Sequence, residues 1–360
     1  MIGIRADANS EIASGHMMRC ITIARALIDA GEKVIFFMAD EESYELFKAN
    51  VSNEQIDAVI LNSDYKNMDS EIDTLKAELE KRSVSAILVD SYAVTASYFK
   101  RLNKICKVVY LDDLHEDNYS VDAVINYSGY SFKMGYDEGY REMSGYEGKP
   151  TRLYLGLKYA PLRKQFYETT EDADIDASFA GKEGKHILVS TGGADMRGML
   201  SSLLEMAGND IWSTKIVWHF VVGRLTGDTK ELLLSAGRHD NIVIHKAVSN
   251  MAYLMKKCDL GVMAAGTMLT ECAACGLPTV FYQVADNQKY NVEYWGNVEG
   301  MSFAGDVATE DKEIITKAIQ KKIEEYIADT DNLDNASEKL RKITDGRGAL
   351  EIARVLMGEK

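Results

Sequence analysis

Short apolar runs alternate with stretches of helical period almost from one end of the chain to the other. The runs Ile2–Arg5, Lys33–Met38, Ala58–Leu61, Ala86–Val89, Val108–Leu111 and Ala123–Ile125 read as strands, being too short for helices and bounded by polar or turn-forming residues. Between them, apolar positions recur every three or four residues over Met17–Ala30, Glu42–Ala49, Asp69–Arg82 and Thr95–Asn103, the pattern of helices with one buried face. Strands and helices alternating in this way build parallel sheets covered on both faces.

The rhythm falters twice. Tyr127–Pro150 carries five tyrosines and five glycines and reads as a long loop, with room for a short helix, near a domain edge. Tyr159–Lys185 holds Pro161, a short helical piece at Leu162–Phe166 and the acidic, alanine-rich Glu168–Ala177, and reads as a connection centred on 161–179. The pattern then resumes with strands at His186–Ser190, Ile216–Val222, Ile242–Ile244, Leu260–Met263 and Thr279–Tyr282. Helices are expected at Met196–Ala207, Thr229–Ala236, Asn250–Lys257 and Met268–Cys275, then at Asn287–Trp295, Asp311–Ala328 and Ala336–Met357. The expected fold is α/β, with two doubly wound Rossmann-like domains, 1–160 and 180–360, facing across a cleft.

A length of 360 residues suits two domains. No apolar run approaches the roughly 20 residues of a membrane span, and the first residues enter a strand without a signal-like segment. The expectation is a cytoplasmic protein with no membrane anchor. The net charge of -15 argues against nucleic acid as a partner. Small anions remain open, because amides at helix N-termini bind them whatever the overall charge. Five scattered cysteines read as reduced thiols, and Cys272 and Cys275 fall in an apolar helical run with no second ligand pair nearby. The oligomeric state is not legible in the chain.

Candidate chemistry lies where strands hand over to helices. His16 follows the first strand and opens the first helix, with Gly15 before it leaving room for a ligand. An imidazole over the positive end of a helix dipole is favoured as a neutral base, although a capping histidine would account for the same residue. Asp90-Ser91-Tyr92 and Asp112-Asp113 follow strands on the same rim. The paired aspartates suggest a metal, but no third ligand has recognisable spacing, so hydrogen-bonding roles are the favoured reading, and no cofactor is expected. In the second half, Gly192, Gly193 and Asp195 lie in one strand-to-helix turn, and Gly266 and Thr267 in another, with Glu271 placed to accept from ribose hydroxyls. Asn287 and Gln288 occupy a third such transition. Each alone fits an ordinary turn or cap. Three on the carboxyl ends of strands in one domain point to a nucleotide diphosphate.

Together with the opening Arg5-Ala6-Asp7-Ala8-Asn9-Ser10 and Gly15-His16-Met17-Met18-Arg19-Cys20, and with Gly156–Phe166, these motifs resemble a family of UDP-sugar hydrolases. It is the UDP-2,4-diacetamido-2,4,6-trideoxy-β-L-altropyranose hydrolase family of pseudaminic acid biosynthesis, whose relatives include spore-coat polysaccharide proteins. The resemblance runs from Arg5 to about Gln288. The opening and Gly156–Phe166 are specific to that family. The Gly192-Gly193 and Gly266-to-Glu271 elements are shared with the wider glycosyltransferase-B superfamily. The resemblance implies a UDP-sugar substrate, with Gly192, Gly193, Asp195, Gly266 and Thr267 near the diphosphate and Glu271 on the ribose. It implies that His16 activates or orients water for inverting attack at the anomeric carbon, while Asp7, Arg19, Tyr92 and Asn287 position sugar and water. The implied reaction releases UDP and free sugar without a metal. A UDP-sugar-dependent glycosyltransferase of surface or spore-coat polysaccharide synthesis is the alternative. Asp306–Lys360 extends past the resemblance.

Overall fold

A computed structural model describes residues 1–360 except 10, 13, 52–55, 194, 196, 213, 214, 224, 225, 228 and 360, and without the side chains of 210 and 330–332. Ser10, Ala13 and Ala194 of the motifs, and Met196 at an expected helix start, lie outside the described residues. The chain divides into two compact units, Met1–Arg163 with Arg347–Lys360, and Lys164–Gly346.

The first unit is built on seven parallel strands: β1 (Ile2–Ala6), β2 (Val34–Met38), β3 (Asp57–Ile60), β4 (Ala86–Asp90), β5 (Lys107–Leu111), β6 (Ala123–Asn126) and β7 (Arg152–Leu155). Their order is β3-β2-β1-β4-β5-β6-β7, and Ile4 of β1 lies between Phe36 of β2 and Leu88 of β4. The winding reverses between β1 and β4, where open α/β sheets bind ligands at the carboxyl ends of their strands. Both faces are buried. Ile2 and Ile4 pack under the helix Gly15–Asp29 with its Cys20, Ile23 and Leu27, while Ile35, Phe37, Ile87 and Val89 meet Leu75, Leu79 and Phe99 on the other side.

The second unit repeats the plan with six parallel strands: β8 (Lys185–Ser190), β9 (Ile216–Val222), β10 (Ile242–Lys246), β11 (Leu260–Ala264), β12 (Thr279–Gln283) and β13 (Met301–Asp306). The order β10-β9-β8-β11-β12-β13 puts its switch point between β8 and β11. One face buries Ile187, Trp218, Phe220 and Val280 beneath the helices Met199–Ala207 and Lys312–Ala328. On the alternate positions a row of histidines, His186, His219 and His245, crosses from β8 to β10.

Four expectations need correction. The strands β7 and β13 were not expected; each is an edge strand whose alternating polar positions blur the apolar run. The expected helix Ala336–Met357 is two, Thr330–Arg341 and Gly348–Met357, broken around Asp345-Gly346. The second of these lies in the first unit, not in a domain of 180–360, because Ala349, Ile352, Ala353 and Leu356 pack into the core with Cys20 and Leu27. The expected connection 161–179 is largely part of the second unit. Its helix Ala173–Phe179 is capped by Asp172, and Tyr253 donates to Asp176 at 2.9 Å.

The tyrosine-rich stretch is packed rather than open. Tyr136 and Tyr140 are buried, His115 stacks on Tyr136 at 4.0 Å between centroids, and the Tyr136 hydroxyl donates to the Asp112 carbonyl at 3.0 Å.

Candidate functional site

Two strand ends at the first switch point meet on one carboxylate. Asp90 closes β4, and its Oδ1 lies 2.5 Å from Nδ1 of His16, the second residue of the helix that follows β1. Two acceptors at that separation would repel, so the proton sits on Nδ1 and Nε2 is left as the basic nitrogen. Among the described residues Nε2 has no hydrogen-bond partner. Asp90 is also gripped by Arg19, whose Nε and Nη2 donate to Oδ2 and Oδ1 at 2.5 Å each. Burial alone would raise the Asp90 carboxyl, but the charge and hydrogen bonds of Arg19, with His16 adding to them, hold it well below the usual carboxylate range. The carboxylate therefore stays ionised and fixes the imidazole.

His16 lines a pocket of about 240 Å³ with Asp7, Ile12, Tyr65, Ser91 and Tyr92. Tyr92 is half exposed, meets the imidazole edge-on with centroids 4.6 Å apart, and donates to Asp113 at 3.2 Å. Burial, with Asp113 alongside, raises its phenol. Gly15 begins the helix with open space where a side chain would stand. Arg19 differs from expectation. Its guanidinium is spent on Asp90, Asp113 at 2.8 Å and the Tyr127 hydroxyl at 2.6 Å, so it is placed to hold Asp90 rather than a sugar. The sequence indicated Asp90, Asp113 and Tyr127 only as polar or aromatic residues after strands.

Asp7 is likewise committed to protein. It accepts from the Ala39 amide at 2.7 Å and from Arg5 at 2.5 Å. Arg5 is fully buried and also donates twice to Glu71, at 2.7 and 2.8 Å, while Ser63 and Tyr98 donate to the same carboxylate. Burial pulls the Arg5 guanidinium down, yet Asp7 and Glu71 outweigh it and raise it. Arg5→Leu would strand two buried carboxylates, and a loss of roughly 3–5 kcal/mol is expected in urea unfolding. A loss under about 1 kcal/mol would show that Asp7 and Glu71 find other partners.

In the second unit the turns after β8 and β11 flank the switch point. Gly192, at φ +87°, and Gly193 lie so close to Gly223 that any Cβ on Gly223 would strike their carbonyls. Asp195 differs from expectation. Its carboxylate accepts from the amides of Met199 at 2.9 Å and Leu200 at 3.2 Å, so the protein itself fills that helix N-terminus. Burial raises its carboxyl against the pull of those amides. The Gly266-Thr267 turn is the more open one. Thr267 makes no side-chain cap on the helix Met268–Cys275, and the Asn291 side chain donates to the carbonyls of Ala265 and Gly266 at 3.0 and 3.3 Å. Asn291 was not singled out in the sequence, where only its position after the Asp286–Gln288 turn hinted at it. Glu271 sits one turn inside that helix, half-buried. The Gln288 side-chain oxygen Oε1 accepts from the Val284 amide at 2.9 Å, and Asn287 is exposed on the adjoining turn. Thus His16 and Tyr92 stand together in the first unit, and Asn287, Gly266, Thr267 and Glu271 belong to the second.

Cys272 and Cys275 are buried free thiols, and burial pushes the Cys275 thiol up to about 12. Among the described residues no group of three or more His, Cys, Asp or Glu side chains is gathered to hold a metal, and no helix is long and apolar enough to cross a membrane.

No family model matches the chain. A protein of Methanocaldococcus jannaschii described as uncharacterised is 26% identical over 286 residues, 78% of this chain, which spans about half (54%) of that relative's length. The spore coat polysaccharide biosynthesis protein SpsG of Bacillus subtilis is 23% identical over 293 residues, 80% of this chain and 78% of its own. Among solved structures, MurG of Acinetobacter baumannii superposes with a TM-score of 0.67 at 12% identity, covering 99% of both chains. UGT71G1 of Medicago truncatula, complexed with UDP-glucose, gives 0.62 at 10% identity over 99% of this chain and 97% of its own. The spinosyn forosaminyltransferase SpnP gives 0.61 at 12% identity over 99% of both. The chain has the fold of the glycosyltransferase-B type, two parallel-sheet Rossmann-like domains.

Proposed function

We propose that this chain is a nucleotide-sugar-using enzyme of polysaccharide assembly, with the second unit binding UDP and His16 of the first serving as the base. The observation that carries the reading is the His16–Asp90 pair, an ionised carboxylate fixing an imidazole whose second nitrogen is left for chemistry. In the proposed step Nε2 takes the proton from an incoming oxygen as that oxygen attacks the anomeric carbon. The C–O bond to UDP breaks with its electron pair passing to the diphosphate, and the centre inverts. Amides of the Gly266-Thr267 turn are the proposed support for the departing charge, with Glu271 on the ribose and Asn287 on the sugar.

Transfer of the sugar to a carbohydrate hydroxyl is supported by the role named for the Bacillus relative and by the glycosyltransferases that share the fold. Water as the acceptor is a second reading. Its support is the resemblance in Arg5–Cys20 and Gly156–Phe166, together with a His16 pocket of only about 240 Å³.

Purified protein incubated with a panel of UDP-sugars, with and without oligosaccharide acceptors, separates these readings. UDP release that requires acceptor supports transfer, and equal amounts of UDP and free sugar without acceptor support hydrolysis. Absence of both turnover and UDP binding overturns the proposal. Gly223→Ala is expected to weaken UDP binding about tenfold or more by displacing Gly192-Gly193, read by calorimetry.

A further inference from the structure

At the amino ends of β4–β7 the first unit carries charge opposite in sign to the rest of the molecule. Lys107 opens β5, Arg152 opens β7 with Lys149 just before it, and Lys100 and Lys104 lie at the end of the helix Ala96–Leu102. These cations border two pockets of about 440 and 470 Å³ on either side of the segment 144–152. Among the described residues, the carboxylates lining these pockets are Asp122 and Glu147. Asp122 is occupied by the amides of Val108 at 2.8 Å and Tyr146 at 3.2 Å, and Glu147 pairs with Lys149 at 2.6 Å. Among the described residues, Lys100, Lys104, Lys107 and Arg152 have no carboxylate at ion-pair distance. Unpaired cations gathered in one place repel one another, and a chain of net charge -15 has carboxylates in excess to neutralise them.

The larger pocket is two-faced. Its floor is the unit's own core, with Val109, Ala123 and Leu356 all buried, and Tyr154 forms a wall. Its rim is Lys107, Lys149 and Arg152. A volume of about 470 Å³ falls within the ordinary range of small-molecule sites. An apolar floor under a cationic rim matches a ligand with an apolar body and an anionic head, and a guanidinium flanked by ammonium groups suits phosphate oxygens.

We propose that this pocket binds an anionic amphiphile, a phosphate monoester whose head lies against Arg152 and Lys107 and whose apolar chain lies over Val109, Tyr154 and Leu356. The inference stands apart from the reaction assigned to His16, since the pocket is at the opposite ends of the strands.

Decyl phosphate, kept below its micelle concentration and titrated calorimetrically into the full chain, is the probe. Saturable binding is expected, weakened about tenfold or more in the variant carrying Lys107→Glu and Arg152→Glu. The control carrying Lys100→Glu and Lys104→Glu, beside the other pocket, is expected to bind as the parent does. Equal weakening in the control would reduce the effect to general electrostatics and overturn the site. Decanol binding as well as decyl phosphate would overturn the anionic head, and inorganic phosphate binding as well would overturn the apolar chain. No saturable binding of decyl phosphate overturns the proposal outright. Vesicles of phosphatidylcholine with and without phosphatidic acid then distinguish the source. Pelleting only with phosphatidic acid supports a head group in a bilayer, and no pelleting with decyl phosphate binding retained supports a soluble amphiphile. All variants change exposed side chains, and their folding is checked by thermal melting.

Discussion

His16→Ala is expected to slow UDP-sugar turnover by about 10²–10⁴-fold while leaving UDP affinity within a factor of about two of the parent. The reasoning is geometric. The imidazole lines a pocket of the first unit, and the turns proposed for the nucleotide belong to the second, so its loss is expected to remove proton transfer and spare nucleotide binding. Asp90→Asn separates chemistry from packing. Asn keeps an acceptor for the Nδ1 proton but discards the charge that Arg19 grips. Loss in kcat with little change in KM is expected, and nitrogen NMR should find the parent imidazole as the Nδ1–H tautomer and the variant as a mixture. An unchanged tautomer with unchanged turnover would reduce Asp90 to a partner of Arg19 alone. Turnover in His16→Ala equal to that of the parent would end the base assignment.

What the sequence disclosed follows from how far apart the interacting groups lie. Central strands such as β1, β4 and β9 are buried on both faces, so their residues form largely apolar runs, interrupted only by Arg5, Asp90 and His219, that stand out locally. The edge strands β7 and β13 have one flank without a partner strand, and Arg152-Leu153-Tyr154-Leu155 and Met301–Asp306 alternate in ways that also suit loops. The helix Gly348–Met357 announces its apolar face, but nothing local says that the face belongs against the helix Gly15–Asp29 and β4 and not in the second sheet.

The site divides along the same line. The placement of His16, Gly192-Gly193 and Gly266-Thr267 between a strand and a helix is legible because such turns near a switch point have a local signature. Their partners do not. Arg19 looked like a ligand for substrate because its grip on Asp90 spans 71 residues of chain and its bond to Asp113 spans 94. Asp195 looked like part of an anion cradle because a carboxylate that caps its own helix has the same sequence position as one that shapes a phosphate turn. A strand histidine on the face away from the apolar core is a signal too. His186, His219 and His245 each occupy such a position, and only the parallel register of β8, β9 and β10 makes them one system.

That system sets the second large expected effect, a loss of stability in mild acid confined to the second unit. His219 is fully buried, its Nε2 lies 2.9 Å from Nδ1 of His186, its Nδ1 lies 2.9 Å from Nε2 of His245, and Phe179 stacks on its ring at 4.2 Å. Each contact requires one donor and one acceptor, so the row is satisfied when all three rings are neutral. Burial first, then the two neighbouring imidazoles, push the His219 pKa down to about 3, with Lys182 adding to the push. Burial also lowers His186, against the pull of Asp259, and lowers His245. A folded-state pKa below the unfolded value means that the unfolded chain binds more protons in acid. The stability is therefore complete above the ordinary imidazole pKa of about 6.5 and falls between there and about 3, by about 1.4 kcal/mol per pH unit for His219. Between pH 7.5 and 5.0 this single ring is expected to remove about 2 kcal/mol. Trp212, Trp218 and Trp295 all lie in the second unit, so tryptophan fluorescence in urea follows that unit selectively. His219→Gln keeps a donor and an acceptor in the row but cannot be protonated, and its urea midpoint should fall less over the same pH range by the corresponding amount. Parallel pH curves for parent and variant would mean that the row is protonated in the folded state at no cost, and would remove it as the source of acid sensitivity.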